Sequence, residues 1–261
     1  MFKRFITTAL TAGLLLCSFA GCGGAQSETP APDTAPSQDT VTESTDPTES
    51  AEPAEPEEAA ETTMTFIGHA SVKLKAKDGT VIFIDPQQYS PSAYDDEADF
   101  ILVTHGHGDH TPGSQVRLKE DGVQITWEEA LVDGEYKTFE YDNVKIEAVK
   151  MGGNSNHAIG SGVGFIVTID NISVYHAGDS SNHEELHYIA EYDIDYAMYP
   201  IDGTYNMDAR EATELADIIG ARYNIPIHAS NVSPTVDKRD NFTPNGRLLI
   251  EDQETIVLAG D

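Results

Sequence analysis

Three histidines and one aspartate lie within six residues of this sequence, directly after the apolar run 100–104. Neutral imidazole nitrogens and carboxylate oxygens are ligands for divalent cations such as zinc, manganese or iron. The interleaved glycines let the chain turn, so these side chains can converge on two neighbouring points. The spacing predicts a metal site, rather than a solvated loop, with the ligands His105, His107, Asp109 and His110.

A site for two cations needs more ligands than this loop supplies, so further ligands are expected where later strands end. Three residues fit this expectation. His157 lies in a glycine-flanked turn, Asp179 closes the run Tyr-His-Ala-Gly-Asp, and His228 ends the run Ile-Pro-Ile-His. These three residues complete a predicted set of seven metal ligands.

Other polar residues fall in segments that should border such a site. His69, His176 and Asp202 could orient a metal ligand or contact a substrate, with an ordinary structural role as the alternative. His183 and His187 lack the full spacing of a helical zinc motif and are interpreted as surface or pocket-wall residues. Four further residues could face a substrate, although packing is the stronger expectation for the tyrosines: Tyr94, Tyr199, Tyr205 and Asn206.

Short apolar or alternating segments predict the strands that must position these ligands. Asp78-Gly79 and Asp170-Asn171 are typical hairpin turns between such segments. The predicted strands cover residues 64–67, 71–76, 80–85, 100–104, 123–126, 136–141, 144–149, 162–169, 172–175, 223–228 and 255–258.

One helix is indicated between the later strands. Asp208 and Glu211 have the spacing of a capping box, and Gly220 is a typical stop. The apolar positions between them recur on one helical face: Ala212, Leu215, Ala216 and Ile219. Strands on both sides of a helix favour a layered α/β domain.

The amino-terminal quarter has a different composition. Residues 1–22 have a charged start, an apolar stretch and small residues before Cys22, which predicts a signal peptide. The run Phe19-Ala-Gly-Cys22 resembles a bacterial lipobox, so we expect lipidation at Cys22, export, and anchoring to the outer face of the cell membrane. Plain secretion or an uncleaved amino-terminal anchor are the alternatives.

Residues 23–62 are rich in Pro, Glu, Thr, Ser and Ala, and predict a disordered acidic linker. This leaves residues 63–261 as the folded domain. The domain contains no cysteine, so its stability must come from packing and metal rather than from disulfides. The sequence does not indicate an oligomeric state.

The charge of the domain limits its partners. The whole chain has a formal charge of −30, and residues 63–261 hold 13 basic and 34 acidic side chains, a charge of −21. Nucleic-acid-binding proteins present clustered Lys and Arg, which this domain lacks. Nucleic acid is therefore not an expected partner, and a small-molecule substrate is.

The order of these motifs resembles the metallo-β-lactamase superfamily: a histidine-rich loop, a later histidine, a bridging aspartate and a final histidine. Particular runs are similar to its small single-domain branch, which includes ascorbate 6-phosphate lactonase: Phe66-Ile-Gly-His-Ala-Ser71, Ile84-Asp-Pro86, Tyr175-His-Ala-Gly-Asp179, Asn206-Met-Asp208 and Ile225-Pro-Ile-His228. The resemblance covers residues 63–261 and implies a four-layered αββα sandwich.

The resemblance also implies roles for the ligands. One ion would be held by His105, His107 and His157, the other by Asp109, His110 and His228, with Asp179 bridging. Asp109 would also orient the nucleophile or take its proton. The implied activity is metal-dependent hydrolysis by a metal-bridged hydroxide.

We expect that reaction to cleave a lactone, ester or phosphodiester of a small molecule, with two divalent metal ions, zinc or else manganese or iron. The first alternative is an exported metal- or ligand-binding lipoprotein that keeps the fold without turnover. The second is a di-iron redox protein, which would need a flavin-bearing partner domain and more carboxylate ligands than this chain offers.

Overall fold

The computed structural model describes residues 60–87, 91–229 and 238–260. The predicted signal peptide, the lipobox with Cys22, and residues 23–59 of the predicted linker lie outside the described residues. Thr62 is fully buried, and its hydroxyl donates to Asp170 Oδ2 at 2.6 Å. No helix within the described ranges has the length and apolar character that crossing a bilayer requires.

The first sheet has six strands in the spatial order β14-β1-β2-β3-β4-β5. Strands β1, β3, β4 and β5 run in one direction, because β2 pairs antiparallel with both β1 and β3 while β3, β4 and β5 pair in parallel. The strands are β1 Thr63–Gly68, β2 Ser71–Lys75, β3 Val81–Ile84, β4 Ala98–Val103, β5 Leu118–Thr126 and β14 Glu254–Val257.

The second sheet also has six strands, in the order β13-β12-β11-β10-β9-β8. Strands β9, β11, β12 and β13 share one direction, since β10 is antiparallel to its neighbours and β11, β12 and β13 are parallel. The strands are β8 Thr138–Glu140, β9 Val144–Lys150, β10 Val163–Ile169, β11 Ile172–His176, β12 Tyr196–Pro200 and β13 Tyr223–Ile227. A separate hairpin pairs β6 Leu131–Val132 with β7 Glu135–Tyr136.

The main core lies between the inner faces of the two sheets. Alternate residues of each strand point inward, so β3 contributes Ile82 and Ile84 while Val81 and Phe83 pack on the outer face. Both faces of β3 and β4 are buried, as expected of parallel strands. Opposite these residues the second sheet contributes Val144, Ile146, Phe165, Val167, Val174, Met198, Ile225 and Ile227.

Helices cover the outer face of the second sheet. Helix α2, Ala209–Ile219, and the 3₁₀ helix Glu184–Glu191 pack there. The predicted caps of α2 are confirmed: Asp208 and Glu211 form a capping box, and Gly220 ends the helix in the left-handed conformation at φ 77°. The predicted apolar face of α2 is buried.

The layer over the first sheet is thinner. In the described part of the chain it consists of the 3₁₀ helix Pro91–Tyr94 and the one-turn helix α1, Trp127–Ala130. Polar side chains share this outer face, where Lys73 and Lys75 pair with Asp96. Salt bridges tolerate solvent, so this face does not need a full helical cover. The predicted α/β sandwich, with two sheets packed face to face and helices on their outer faces, is confirmed.

Several elements differ from the strands predicted above. Strand β6 was not predicted, and the predicted strand 136–141 is divided between β7 and β8, which belong to different sheets. Strand β12 was not predicted, although all five of its residues are buried. Strand β5 begins at Leu118, five residues before the predicted start, and its first four residues are exposed. These exposed residues show no hydrophobic periodicity that would predict a strand. Only their pairing with β4 extends β5 toward Leu118.

Candidate metal centre

The candidate site lies where strands of one direction end in each sheet. In the first sheet, His69 follows β1, Asp85 follows β3, and the loop 105–110 follows β4. In the second sheet, four residues lie beyond the carboxyl ends of β9, β11, β12 and β13, in that order: His157, Asp179, Asp202 and His228. The shared strand direction therefore brings residues far apart in sequence to one edge of the sandwich.

Three imidazoles and a carboxylate form the first cluster. His107 Nδ1 lies 3.0 Å from His105 Nε2 and 3.2 Å from His157 Nε2. Asp179 Oδ2 lies 3.3 Å from His157 Nε2 and 3.8 Å from His105 Nε2. His107 is exposed and the other three are buried. The ligand atoms of all four lie within 4.8 Å of one another and could hold a metal ion.

The second cluster lies on the other side of Asp179. Asp179 Oδ1 is 3.2 Å from His110 Nε2 and 3.6 Å from His228 Nε2. Asp109 Oδ2 is 3.6 Å from His228 Nε2 and 4.0 Å from His110 Nε2. His69 joins this cluster, with its Nε2 3.2 Å from Asp109 Oδ2. Asp179 thus faces the two clusters with its two carboxylate oxygens.

Several buried atoms in this region lack a hydrogen-bond partner. His110 Nε2, Asp179 Oδ1 and His228 Nε2 are all buried without one, although they converge to within 3.6 Å. A buried polar atom without a partner costs about 1–3 kcal/mol. Three such atoms aimed at one point fit a divalent cation, which would satisfy all of them. The seven predicted ligands are brought together, and their coordination of metal stays a prediction.

Carboxylates hold the imidazole rings from behind. His110 Nδ1 lies 2.7 Å from Asp85 Oδ2, and His228 Nδ1 lies 3.2 Å from Asp202 Oδ2. Asp85 also accepts hydrogen bonds from the amide and hydroxyl groups of Thr104, both at 2.7 Å. Such partners fix the ring orientation and direct Nε2 toward the metal position.

Three non-glycine residues at this edge have left-handed backbones: His69 at φ 55°, Asp85 at φ 46° and His228 at φ 50°. Each such conformation costs of order 1–3 kcal/mol and persists only where its surroundings impose it. The amide of His228 donates to the carbonyl of His69 at 2.6 Å, which ties two of the three together across the sheets. The local strain helps to aim side chains from both sheets at one centre.

Burial and nearby charges shift the pKa values of the histidines in opposite directions in the two clusters. Burial opposes protonation of His110, but Asp85 and Asp179 outweigh it and raise its pKa to about 10. Burial likewise opposes protonation of His228, whose pKa is raised to about 9 by Asp109 and Asp202. In the other cluster, burial and the nearby His110 lower the pKa of His105 to about 4.

The carboxylates are ionised at neutral pH. Burial opposes ionisation of Asp179, yet the surrounding histidines hold its pKa below the usual range. The nearby His228 and the hydrogen-bond contact with His69 lower the pKa of Asp109. Burial also opposes ionisation of Asp202, but His228 and the backbone amides of the following residues lower its pKa. The centre therefore presents anionic ligands to a cation.

The remaining predicted residues take different places. His176 is fully buried, its Nε2 lies 2.8 Å from the carbonyl oxygen of Ala70, and its Nδ1 accepts from the Gly178 amide. Both ring nitrogens have backbone partners, so this geometry is structural. His183 caps the 3₁₀ helix 184–191, and His187 bonds Asn182.

The tyrosines considered as substrate contacts separate by burial. Tyr94 and Tyr199 are buried at about 1% exposure or less and pack on the outer faces of the two sheets. Tyr205 is 61% exposed, and Asn206 bonds Asp202 through its side-chain amide at 2.8 Å. Of these four residues, only Tyr205 presents its side chain to solvent.

The role of Asp85 was not predicted from the sequence, which placed it at the end of a strand and within the run Ile84-Asp-Pro86 that resembles the family. The sequence offers one signal for this role, which is a charged residue at the end of an apolar strand. Asp85 is fully buried there, and a buried carboxylate needs a partner. That partner, His110, is 25 residues away in the sequence.

Comparison with known proteins agrees with the fold. Residues 63–228 match a family described as the beta-lactamase superfamily domain. This chain therefore belongs to the metallo-β-lactamase superfamily.

Relatives within that superfamily narrow the assignment. A Methanoregula boonei UPF0173 metal-dependent hydrolase is 33% identical over 190 residues, which cover 63% of this chain and 81% of the relative. A Pyrococcus furiosus protein of the same description is 27% identical, and the match covers 75% of this chain and 95% of that protein. The chain is thus a member of the UPF0173 metal-dependent hydrolase family.

Solved structures of metal-dependent hydrolases have a fold similar to that of this chain. The crystal structure of a candidate metal-dependent hydrolase from Parabacteroides distasonis has a TM-score of 0.59 and 27% identity, and covers 74% of this chain and 94% of its own. The metallo hydrolase Igni18 from Ignicoccus hospitalis is 19% identical and shares the fold with a TM-score of 0.60. The match covers 77% of this chain and 99% of the Igni18 chain. The predicted enzyme class, a metal-dependent hydrolase, is confirmed.

Proposed function

We propose that this enzyme hydrolyses a lactone, ester or phosphodiester of a small molecule with two divalent cations, zinc or else manganese or iron. The observation that carries the proposal is the convergence of buried, unpartnered atoms of His110, Asp179 and His228 beside a second cluster of histidines. One ion position would be formed by His105, His107 and His157, the other by Asp109, His110 and His228, with Asp179 shared.

Cations bound there would lower the pKa of a water molecule and polarise the bond to be cleaved. The residues of the chain then have separate tasks. Asp85 and Asp202 orient two ligand rings through His110 Nδ1 and His228 Nδ1. Hydrolysis needs no serine or cysteine nucleophile, and residues 63–261 contain no cysteine.

Asp109 is the proposed catalytic carboxylate. Its side chain is 47% exposed, in contrast to the buried Asp179, so it lies at the mouth of the site where substrate and water enter. His228 and His69 keep it ionised by lowering its pKa. An ionised carboxylate in this position can orient an attacking water molecule or accept its proton.

Replacing His107 with alanine tests this function. We expect metal content to fall from about two ions per chain to about one, and turnover to fall at least about a hundredfold, because one position loses an imidazole ligand. Mass spectrometry of the purified full chain measures the metal, and a panel of lactones, esters and phosphodiesters measures turnover. His107 is exposed, so its loss should leave the core packing intact.

His187→Ala is the matched control, since His187 lies outside both clusters and bonds Asn182. It should keep both the metal and the activity. Two ions without turnover on any compound would favour the alternative, a binding lipoprotein. A wild-type chain without bound metal would refute the proposal.

We also propose that the enzyme is exported and anchored to the membrane through a lipid on Cys22. The support is the sequence of residues 1–22, with its charged start, apolar stretch and small residues before the cysteine. The acidic residues 23–62 would then hold the domain away from the membrane surface.

Cys22→Ser is expected to abolish lipid labelling and to release the chain from the membrane fraction. Growth with an alkyne-tagged fatty acid, followed by fractionation of a bacterial host, measures both effects. Cys17→Ser is the control, because Cys17 lies within the apolar stretch and should not accept the lipid. Equal labelling of the Cys22→Ser variant and the wild type would contradict the anchor.

A further inference from the structure

The segments that build the site contain no lysine or arginine. Lys and Arg are absent from residues 78–116, 151–209 and 223–237, which hold all seven predicted ligands together with Asp85 and Asp202. Enzymes that bind phosphorylated or carboxylated substrates commonly place Arg or Lys beside the anionic group. From these segments, the anionic group of a substrate would find no Lys or Arg partner. Only bound metal ions would then attract it.

Three cationic residues outside these segments are already bonded. The Lys238 ammonium group donates to the carbonyl oxygen of Asp202. Arg239 pairs with Glu251 at 3.2 Å, and Lys150 pairs with Glu185 at 2.8 Å. The domain as a whole carries a formal charge of −21. Its long-range field therefore repels anionic substrates and favours uncharged or cationic ones.

One loop links the histidines of the two clusters. Residues 202–206, here called the 202–206 loop, begin at Asp202, whose Oδ1 accepts from the amides of Thr204 at 2.8 Å and Tyr205 at 2.7 Å. Its Oδ2 accepts from the Asn206 amide and faces His228 Nδ1 at 3.2 Å. The buried carboxylate thus holds the loop against one metal ligand.

The same loop contacts the segment of the other cluster. Asn156, the residue before His157, donates through its side-chain amide to the carbonyl oxygen of Tyr205 at 3.3 Å. The Tyr205 backbone is therefore held from both sides, by Asp202 next to His228 and by Asn156 next to His157. These hydrogen bonds hold the backbone of Tyr205 and, within the described part of the chain, leave its ring unbonded.

That ring is the most exposed among the large hydrophobic side chains of the described residues, at 61%. A single exposed aromatic residue is common on protein surfaces. Here, however, the ring stands on a loop that is bonded to both ligand-bearing segments. A flat, mostly apolar surface on a rigid support beside a reactive centre can position a substrate at a small entropic cost.

We propose that the site takes an uncharged carboxylic ester, cyclic or open, whose flat apolar substituent lies against the ring of Tyr205. This rests on the proposed function and selects the ester and lactone classes over phosphodiesters. In the reaction, a water oxygen forms a bond to the acyl carbon and the acyl C–O bond breaks. The leaving oxygen takes a proton, so an open ester gives an acid and an alcohol, a cyclic ester gives one hydroxy acid, and no oxidant or further reactant is needed.

The test compares three compounds with the full chain loaded with metal. γ-Phenyl-γ-butyrolactone is uncharged and carries a flat substituent, γ-butyrolactone lacks the substituent, and bis(p-nitrophenyl) phosphate carries flat groups and a negative charge. The variants are Tyr205→Ala and Tyr205→Phe, with Tyr141→Ala as the control. Tyr141 is also exposed, at 38%, and its ring contacts Phe100 in the sandwich rather than the site.

We expect the phenyl lactone to exceed the phosphodiester in kcat/KM by at least about 100-fold, because the field of the domain and its cation-free segments act only on the charged compound. Tyr205→Ala should raise KM for the phenyl lactone about 5- to 10-fold with little change in kcat, since only ring stacking is lost. Tyr205→Phe and Tyr141→Ala should match the wild type. None of these variants should alter KM for γ-butyrolactone.

A binding measurement separates this inference from the proposed function. Saturation-transfer NMR of the phenyl lactone with metal-free protein should show contacts that weaken in Tyr205→Ala, whether or not the compound is hydrolysed. Turnover absent on every compound, with this binding intact, would overturn only the proposed hydrolysis. Equal effects of Tyr205→Ala on both lactones, unchanged binding, or a preference for the phosphodiester would overturn the inference.

Discussion

Asp179→Asn is expected to remove most of the bound metal and nearly all of the activity. Asp179 is the carboxylate that faces both clusters, with Oδ2 at 3.3 Å from His157 and Oδ1 at 3.2 Å from His110. Asparagine has a similar volume but carries no charge, and its nitrogen cannot act as a ligand. We expect metal content to fall below about one ion per chain.

The loss of transition-state stabilisation should be several kcal/mol, roughly 4, which corresponds to about a thousandfold in kcat/KM. Mass spectrometry and steady-state kinetics measure the two effects. Asp195→Asn is the matched control, because Asp195 is a partly buried aspartate directly before β12 of the second sheet that accepts a hydrogen bond from the Ser173 amide at 2.9 Å and belongs to neither cluster. If Asp179→Asn kept two ions and full turnover, the two clusters would not share a carboxylate.

Metal affinity at the second cluster is expected to rise steeply with pH. In the metal-free protein, the pKa values of His110 and His228 are raised to about 10 and about 9. Both imidazoles are therefore protonated at pH 7 and must each lose a proton before they can bind a cation. Two released protons give an affinity that increases roughly 100-fold per pH unit below pH 9.

The first cluster serves as an internal comparison. Burial and His110 lower the pKa of His105 to about 4, and burial lowers the pKa of His157, so these rings are neutral at pH 7 without metal. The affinity of this position should therefore depend on pH much less steeply than that of the second cluster. Titration with Mn²⁺ against a chelator at several pH values measures both positions. A single pH slope common to both ions would contradict the assignment of the raised pKa values to one cluster.

Much of the site could be predicted from local sequence. The histidine-rich loop places four potential ligands within six residues, so short-range spacing reveals it without knowledge of the fold. His157 was predicted from its glycine-flanked turn before a strand, and Asp179 and His228 from the runs that they end, because polar residues where strands meet loops can be recognised in the sequence. The caps of helix α2 were likewise predicted from residues three apart.

The contacts that hold the ligands could not be predicted in this way. Asp85 contacts His110, and Asp202 contacts His228, because neighbouring parallel strands end at the same edge of a sheet. Strand β12, which precedes Asp202, was not predicted at all. Its short buried segment has no periodic pattern that distinguishes it from a buried turn.

By itself, the sequence determined the chemistry of this protein: which side chains can bind a cation, and that they lie where strands meet loops. Only the tertiary structure decided how they are arranged, namely that Asp179 faces two clusters, that His176 is structural and that Tyr205 is exposed. The physical reason is that residue type and local periodicity depend on near neighbours in the chain. Strand direction, burial and charge pairing depend on contacts between distant segments, which form only when the two sheets pack.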